Sequence, residues 1–247
     1  MALLEVQGVT VTFGGVVAVN DVSFDAESGR ITGLIGPNGA GKTTLFNVIT
    51  GLQRAARGRV LLDREDITNL APYQRARRGM ARTFQRLELF GTLTVRENVE
   101  VAASIAGRWT HDNEAPPAVA DRLIERVGLA AVADVRADAL PTGQGRLVEL
   151  ARSLATRPRL LLLDEPASGQ STTETEHFAD VLRDLSREGM AVVLVEHDMT
   201  LVMNVCEYIH VLDFGSTLAA GHPEQVRNDP SVLAAYLGSE WQTGAIA

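Results

Sequence analysis

One stretch constrains this chain more than any other: Gly36-Pro37-Asn38-Gly39-Ala40-Gly41-Lys42-Thr43, which fits the pattern G-x-x-x-x-G-K-[ST]. It stands between an apolar run, Ile31 to Ile35, and a segment of helical character, Lys42 to Gly51. In that setting the glycines let successive backbone N–H groups point inward around a phosphate, at the positive end of the helix that follows. Gly36, Pro37, Asn38, Gly39, Ala40, Gly41, Thr43 and Thr44 are therefore candidate phosphate-binding residues. Lys42 adds a point charge toward the β- and γ-phosphates, and the Thr43 hydroxyl is a candidate Mg²⁺ ligand.

A second segment, Leu160-Leu161-Leu162-Leu163-Asp164-Glu165, reads as a buried strand that ends on two carboxylates. An apolar strand ending in acids means little alone. Downstream of a phosphate loop it places Asp164 at the carboxyl edge of the same sheet, where it would hold Mg²⁺ through water. Glu165, one residue on, would polarise a water that attacks the γ-phosphate. Four further pieces are weaker. Gln85 follows a strand-like stretch and would reach the metal or that water. His197, in Val195-Glu196-His197-Asp198, ends the next strand and would touch the γ-phosphate, although an isolated histidine is more often structural. Phe13 would stack on adenine, although an aromatic at a strand end is more often core. Leu140-Pro141-Thr142-Gly143-Gln144 precedes a helix whose free N–H groups suit an anion, and it also reads as a plain helix start.

Along the chain, strand patterns fall at Val6 to Phe13, Val22 to Asp25, Val60 to Leu62, Leu160 to Leu163 and Ala191 to Val195. From about Phe90 to Leu154 the pattern becomes helical, with Trp109 to Pro117 as a polar loop carrying two prolines. A helix over Thr172 to Glu188 separates two of the strands, which is the order of a parallel sheet with crossover helices. Tyr208 to Leu212 and Thr217 to Ala220 make a hairpin. Two short helices with Pro in the first turn follow, Pro223 to Arg227 and Pro230 to Leu237.

A net charge of -8 argues against a nucleic-acid partner, which a basic surface would serve. Arg75, Arg77, Arg78, Arg82 and Arg86 cluster locally and read as a solvated helix face. The single cysteine, Cys206, lies in an apolar stretch and reads as a buried thiol in a reducing compartment. The first residues meet a charge at Glu5 with no basic n-region, unlike a signal peptide. No apolar run approaches the roughly 18 to 20 residues of a membrane span, so a membrane role would come through a partner.

Taken together and in order, aromatic, phosphate loop, glutamine, Leu-x-x-Gly-Gln segment, acidic strand end and histidine resemble the layout of ABC-type ATPases. The resemblance runs from about Leu3 to Leu237. Ala81-Arg82-Thr83-Phe84-Gln85, Leu93-Thr94-Val95-Arg96-Glu97-Asn98-Val99, Val195-Glu196-His197-Asp198-Met199, Pro223-Glu224-Gln225-Val226 and Ala235-Tyr236-Leu237-Gly238 narrow it. They are similar to the ATP-binding subunits of branched-chain amino acid importers and their relatives for urea, short amides and aromatic acids.

The resemblance implies an α/β P-loop NTPase domain of the ABC ATPase kind, with a mixed, largely parallel core sheet, an antiparallel β subdomain and a helical subdomain. The core would take residues 1–89 and 155–222, the helical part 90–154 and the C-terminal helices 223–240. It implies an ATPase using ATP and Mg²⁺, with Lys42, Gln85, Glu165 and His197 catalytic and Thr43, Gln85 and Asp164 toward the metal. Phe13 and the phosphate loop would bind ATP on one side. Thr142, Gly143 and Gln144 would meet ATP held by a second ATPase subunit, identical or different. Membrane permease subunits would contact the Gln85 region and an extracytoplasmic solute-binding protein would act through them. The chain would sit in the cytoplasm on the inner face of the membrane.

Two departures stand out. Pro141 and Thr142 replace the Ser and first Gly of Leu-Ser-Gly-Gly-Gln, so a hydroxyl and an N–H toward the γ-phosphate are lost unless Thr142 replaces the hydroxyl. Gln170 and Ser171 stand where Leu and Asp are usual. In a pair with a different subunit, the site completed by these residues is expected to be the weaker one. Other readings fit less well. Translation-type ABC proteins carry two phosphate loops, chromosome-handling ones a long coiled coil, and GTPases an Asn-Lys-x-Asp segment, none of which occurs here. A catalytically dead subunit would not keep Lys42, Asp164, Glu165 and His197, and an export motor would share every one of these motifs.

Overall fold

The structure is a computed structural model that describes residues 2–110 and 114–237. In chain order, strands β1 (Ala2–Phe13), β2 (Val16–Glu27) and β3 (Ile31–Ile35) lead to helix α1 (Lys42–Thr50). Then come β4 (Arg57–Leu62), β5 (Glu65–Asp66), α2 (Pro72–Arg77) and β6 (Met80–Arg82). Helices α3 (Val95–Thr110), α4 (Pro116–Arg126) and α5 (Thr142–Ala155) follow, and then β7 (Leu160–Asp164), α6 (Thr172–Arg187), β8 (Ala191–Val195) and α7 (Met199–Val205). The described part ends with β9 (Tyr208–Asp213), β10 (Ser216–Gly221), α8 (Pro223–Arg227) and α9 (Pro230–Leu237).

The strands form two sheets. One is antiparallel, in the order β2-β1-β4-β5; the other runs β10-β9-β3-β8-β7-β6 and is parallel except for its β9–β10 hairpin. β3, β7 and β8 are buried at every residue, which is why they read as unbroken apolar runs. Their side chains still alternate between faces. Leu161, Leu163, Val192 and Leu194 pack with helices α3 to α6, whereas Leu160, Leu162, Val193 and Val195 pack with α1 and the antiparallel sheet.

Several sequence expectations change. β2 is far longer than Val22 to Asp25, because it pairs with β1 from Phe13 opposite Val16 to Ala2 opposite Glu27. Its polar middle is carried by an irregularity at Asp21, whose φ is 51° and whose N–H donates to the Thr10 hydroxyl. The loop expected over Trp109 to Pro117 is helical at both of its ends. α3 continues through Thr110, and Pro116 and Pro117 occupy the first turn of α4, where a missing N–H costs nothing. Residues 111–113 of that stretch and Gly238 of the C-terminal motif lie outside the described residues.

The arginine cluster is a solvated face only in part: Arg77 and Arg86 are exposed, whereas Arg75 and the Arg82 side chain turn inward. Arg75 is buried, and its guanidinium donates to the carbonyls of Val48, Ile49, Thr68 and Leu70 at 2.6 to 3.0 Å. Two of those carbonyls belong to the last turn of α1, whose final C=O groups have no partner within the helix. The Arg82 side chain is buried too, against Asp164, whereas Arg78 pairs with Glu65 and Arg77 lies over Tyr73 and Trp109. Cys206 is buried as expected, and burial pushes its thiol far up.

Replacing Arg75 with Ala strips that donor from four carbonyls: Val48 keeps the Gly51 N–H, whereas Ile49 is left buried without one. The predicted loss is on the order of 3 kcal/mol of unfolding free energy, read as a lower urea midpoint at unchanged m.

Candidate nucleotide site

The parallel strands all deliver their carboxyl ends to one edge. β3 runs into residues 36–41, β6 into Thr83 to Gln85, β7 into Asp164 and Glu165, and β8 into Glu196 and His197. Ligand sites of open α/β sheets form at this edge.

The loop from Gly36 to Gly41 fits so tightly that glycine is needed at both ends. A Cβ on Gly36 would stand 2.1 Å from the Leu212 carbonyl oxygen, and one on Gly41 would stand 2.6 Å from that of Ala18. Gly39, by contrast, faces open space with φ at 82°. Lys42 is buried, and its Nζ donates to the Gly36 carbonyl at 2.6 Å and to the Pro37 carbonyl at 3.0 Å. Burial lowers its pKa, opposed by the nearby charges of Glu165 and Asp164. Thr43 is exposed at the start of α1 and Thr44 is half-buried beside it.

Glu165 sits in the left-handed region at φ 50°, with its N–H donating to the Val195 carbonyl. This strained turn holds its carboxylate between two other candidates. The Gln85 amide donates to one oxygen at 2.8 Å, and His197 Nδ1 lies 3.6 Å from the other. His197 therefore belongs to the cluster rather than to the core. Asp164 is 1% exposed; burial raises its carboxyl above the usual range, opposed by Arg82 and then Lys42. Its Oδ2 accepts from Arg82 at 2.8 Å, while Oδ1 is buried with no hydrogen-bond partner. A bare buried carboxylate oxygen at the sheet edge that also carries the exposed Thr43 fits a hard divalent cation, which takes oxygen ligands and keeps water.

Phe13 is 48% exposed at the end of the β1–β2 hairpin, the same hairpin whose Ala18 carbonyl presses on Gly41. It is therefore not a core aromatic. The Leu140 to Gln144 segment stands apart: among the described residues no hydrogen bond joins it to the phosphate loop. Pro141 is the N-cap of α5, and the Thr142 methyl lies 3.3 Å from where a Cβ on Gly169 would stand. Ser171 caps α6 in a capping box with Glu174, whose carboxylate lies over Gly143 and fills the space of a Cβ there.

Sequence reading missed three charged residues that build the site. Arg82 holds Asp164. Glu196 is buried, and its carboxylate accepts from the backbone N–H groups of Ala167, His197 and Asp198, tying the segment after Glu165 to the histidine. Arg146 of α5 donates to the carbonyls of Phe84 and Gln85 and pairs with Glu149. Charges inside apolar or helical patterns were the available signal.

The sequence profile of a family described as ABC transporter matches residues 19–168. The chain belongs to that family. A second profile, described as branched-chain amino acid ATP-binding cassette transporter, matches residues 216–241. The chain is 41% identical to the high-affinity branched-chain amino acid transport ATP-binding protein BraF of Pseudomonas aeruginosa, covering 96% of this chain and 98% of that one. It is 36% identical to the lipopolysaccharide export system ATP-binding protein LptB of Haemophilus influenzae, over 98% of this chain and 100% of that one. Among solved structures, the ADP conformation of the ATP-binding cassette MJ1267 superposes with a TM-score of 0.87 at 31% identity, covering 96% of this chain and 99% of that one. A dimeric post-hydrolysis state of the cassette MJ0796, bound to ADP and Pi, gives 0.79 at 26% identity, covering 89% and 98%. As a member of this family the chain is an ATP-hydrolysing cassette.

Two variants separate loop shape from charge. Gly41→Ala and Lys42→Met are both expected to weaken ATP binding at least about tenfold in a fluorescence titration. Only Gly41→Ala should also lower Tm by several degrees, because its Cβ meets backbone and its φ is 99°.

Proposed function

We propose that this ATPase energises the import of branched-chain amino acids or related small polar, amide or carboxylate solutes, working with membrane permease subunits and a second ATPase subunit. The observation that carries the catalytic part is the convergence of Lys42, Asp164, Glu165, Gln85 and His197 on one sheet edge. The match at residues 216–241 and the likeness to BraF support the amino-acid part.

In this reading Lys42 turns from the Gly36 and Pro37 carbonyls to the β- and γ-phosphates, stacked adenine resting on Phe13. Glu165 orients and polarises the attacking water, Gln85 places that carboxylate, and His197 donates to the γ-phosphate. Thr43 and Asp164 would hold Mg²⁺, with Gln85 completing its surroundings; the ion would neutralise charge on the phosphate oxygens. Since phosphoryl transfer asks mainly for positioning and charge stabilisation, a site of fixed donors suffices.

The segment Thr142-Gly143-Gln144 stands clear of its own phosphate loop, which supports its serving ATP on a second subunit, as in the dimeric state of MJ0796. Pro141 and Ser171 make the site it completes the weaker one in a mixed pair. Beside Gln85 opens a cleft of about 410 Å³ lined by Leu52, Met80, Phe84, Phe90, Ile105 and the stem of Arg152. It is the surface we assign to a permease, with the solute-binding protein acting through it. No helix among the described residues is long and apolar enough to cross a membrane, which supports attachment at the cytoplasmic face through such a partner. The acidic balance supports no nucleic-acid partner.

Mg²⁺-dependent ATP hydrolysis by the purified chain should rise in specific activity with protein concentration and vanish in Lys42→Met and Glu165→Gln. Specific activity independent of concentration would contradict shared sites. For direction, cells lacking the chain should accumulate radiolabelled leucine more slowly, with rescue by the wild type and not by Glu165→Gln. Unchanged uptake would contradict the amino-acid import reading.

A further inference from the structure

Arg82 touches the candidate metal carboxylate and the apolar cleft at once. Its side chain is 6% exposed, and Nη2 donates to Asp164 Oδ2 at 2.8 Å. Nη1 donates to Asn47 Oδ1 at 2.6 Å, one turn along α1 from Thr43. The guanidinium carbon stands 5.5 Å from the ring centre of Phe46, inside the core, and 5.0 Å from that of Phe84. Phe84 is 42% exposed and, like Arg82 itself, lines the cleft.

This arrangement does three things. The guanidinium fixes the rotation of the Asp164 carboxylate by holding one oxygen, so the oxygen without a partner keeps a set direction. Through Asn47 it ties that carboxylate to the helix that carries Lys42 and Thr43. With one face over Phe84, it makes the carboxylate's anchor part of the wall that a cleft occupant would press. A guanidinium is rigid and planar, so a shift of its stacking partner moves both of its hydrogen bonds together.

We propose that Arg82 is a positioning residue for the metal site, setting the orientation of Asp164 and linking it through Phe84 to the cleft. The proposal rests on the ATPase reading above and deepens it. Among the described residues no hydrogen bond or ion pair joins Arg82 to the phosphate loop or to a candidate nucleotide contact, so its removal should act on the metal and leave metal-free nucleotide binding intact. A buried ion pair with only a structural role would change stability alone.

The test is equilibrium binding of a non-hydrolysable ATP analogue to the full chain, first in EDTA and then across a Mg²⁺ titration, with Tm measured alongside. Arg82→Met should bind the analogue in EDTA within about twofold of the parent, yet need on the order of tenfold more Mg²⁺ for half-maximal gain, the usual effect of removing a group that orients a metal ligand. Arg82→Lys should recover part of the loss. Phe84→Ala should raise the Mg²⁺ requirement about threefold at unchanged Tm in the parent, and add nothing in the Arg82→Met background, since coupled residues are not additive.

Unchanged Mg²⁺ requirement in Arg82→Met would overturn the proposal. If that variant does not fold, unchanged requirements in both Arg82→Lys and Phe84→Ala overturn it equally. Additive effects of Arg82→Met and Phe84→Ala would overturn the link to the cleft. A parent chain whose analogue binding ignores Mg²⁺ and Lys42→Met would bring down the ATPase reading itself, a failure distinct from these.

Discussion

The structure depends on the close approach of backbone to backbone around the phosphate loop. Gly36 lies against the carbonyl of Leu212 in β9, and Gly41 lies against the carbonyl of Ala18 in β2. Gly215, at the β9–β10 turn, closes the triangle: its N–H donates to the Ala40 carbonyl, its carbonyl accepts from the Asn20 N–H, and a Cβ there would stand 2.8 Å from the Ala18 carbonyl oxygen. The parallel sheet, the antiparallel sheet and the loop thus meet at three glycines with no room for a side chain. The contact that shapes the phosphate site is also the contact that sets one sheet against the other. Loop substitutions are therefore felt as both a binding defect and a packing defect.

From that junction the rest of the site follows by sheet order. β3 is flanked by β8 and β9, and β7 lies beyond β8, so residues distant in sequence arrive at one edge. Glu165 and His197 are neighbours because Asp164 pairs with Val195 in register. Gln85 joins them because β6 pairs with β7, and α5 holds its loop through Arg146. Apart from Asp164 Oδ1 and the Nε atoms of Arg82 and Arg146, the polar groups buried here are paired in a network in which most members touch backbone, an arrangement that fixes geometry more than it adds stability.

Much of this was legible in the sequence because the decisive signals are local. A glycine-rich turn between strand and helix, and apolar strands that end in Asp164-Glu165 and in Glu196-His197, need no knowledge of the fold. The α/β class and its antiparallel part followed from the same residues and the family resemblance. What escaped notice depends on partners far along the chain. The first half of β2, with Asn20 and Asp21, lies outside the strand read at Val22 to Asp25, because its length is dictated by pairing with β1. α3 and α4 extend into the stretch around Trp109 and Pro116 because prolines in a first turn start helices as readily as they stop them. The arginines from Arg75 to Arg86 look alike in sequence; only packing separates Arg78 on Glu65 from Arg75 capping α1 and Arg82 on Asp164. The departures at Pro141 and Ser171 also become intelligible as local caps. Pro141 precedes α5 at the N-cap, where no N–H is needed, and Ser171 closes the first turn of α6 with Glu174.

The most direct test of the account is the structure of the chain bound to Mg²⁺ and a non-hydrolysable ATP analogue. The account predicts that Lys42 Nζ leaves the Gly36 and Pro37 carbonyls for the β- and γ-phosphates, with the metal between Thr43 and the Oδ1 side of Asp164. A phosphate chain lying elsewhere, or Lys42 still on its own loop carbonyls with nucleotide bound, would contradict it.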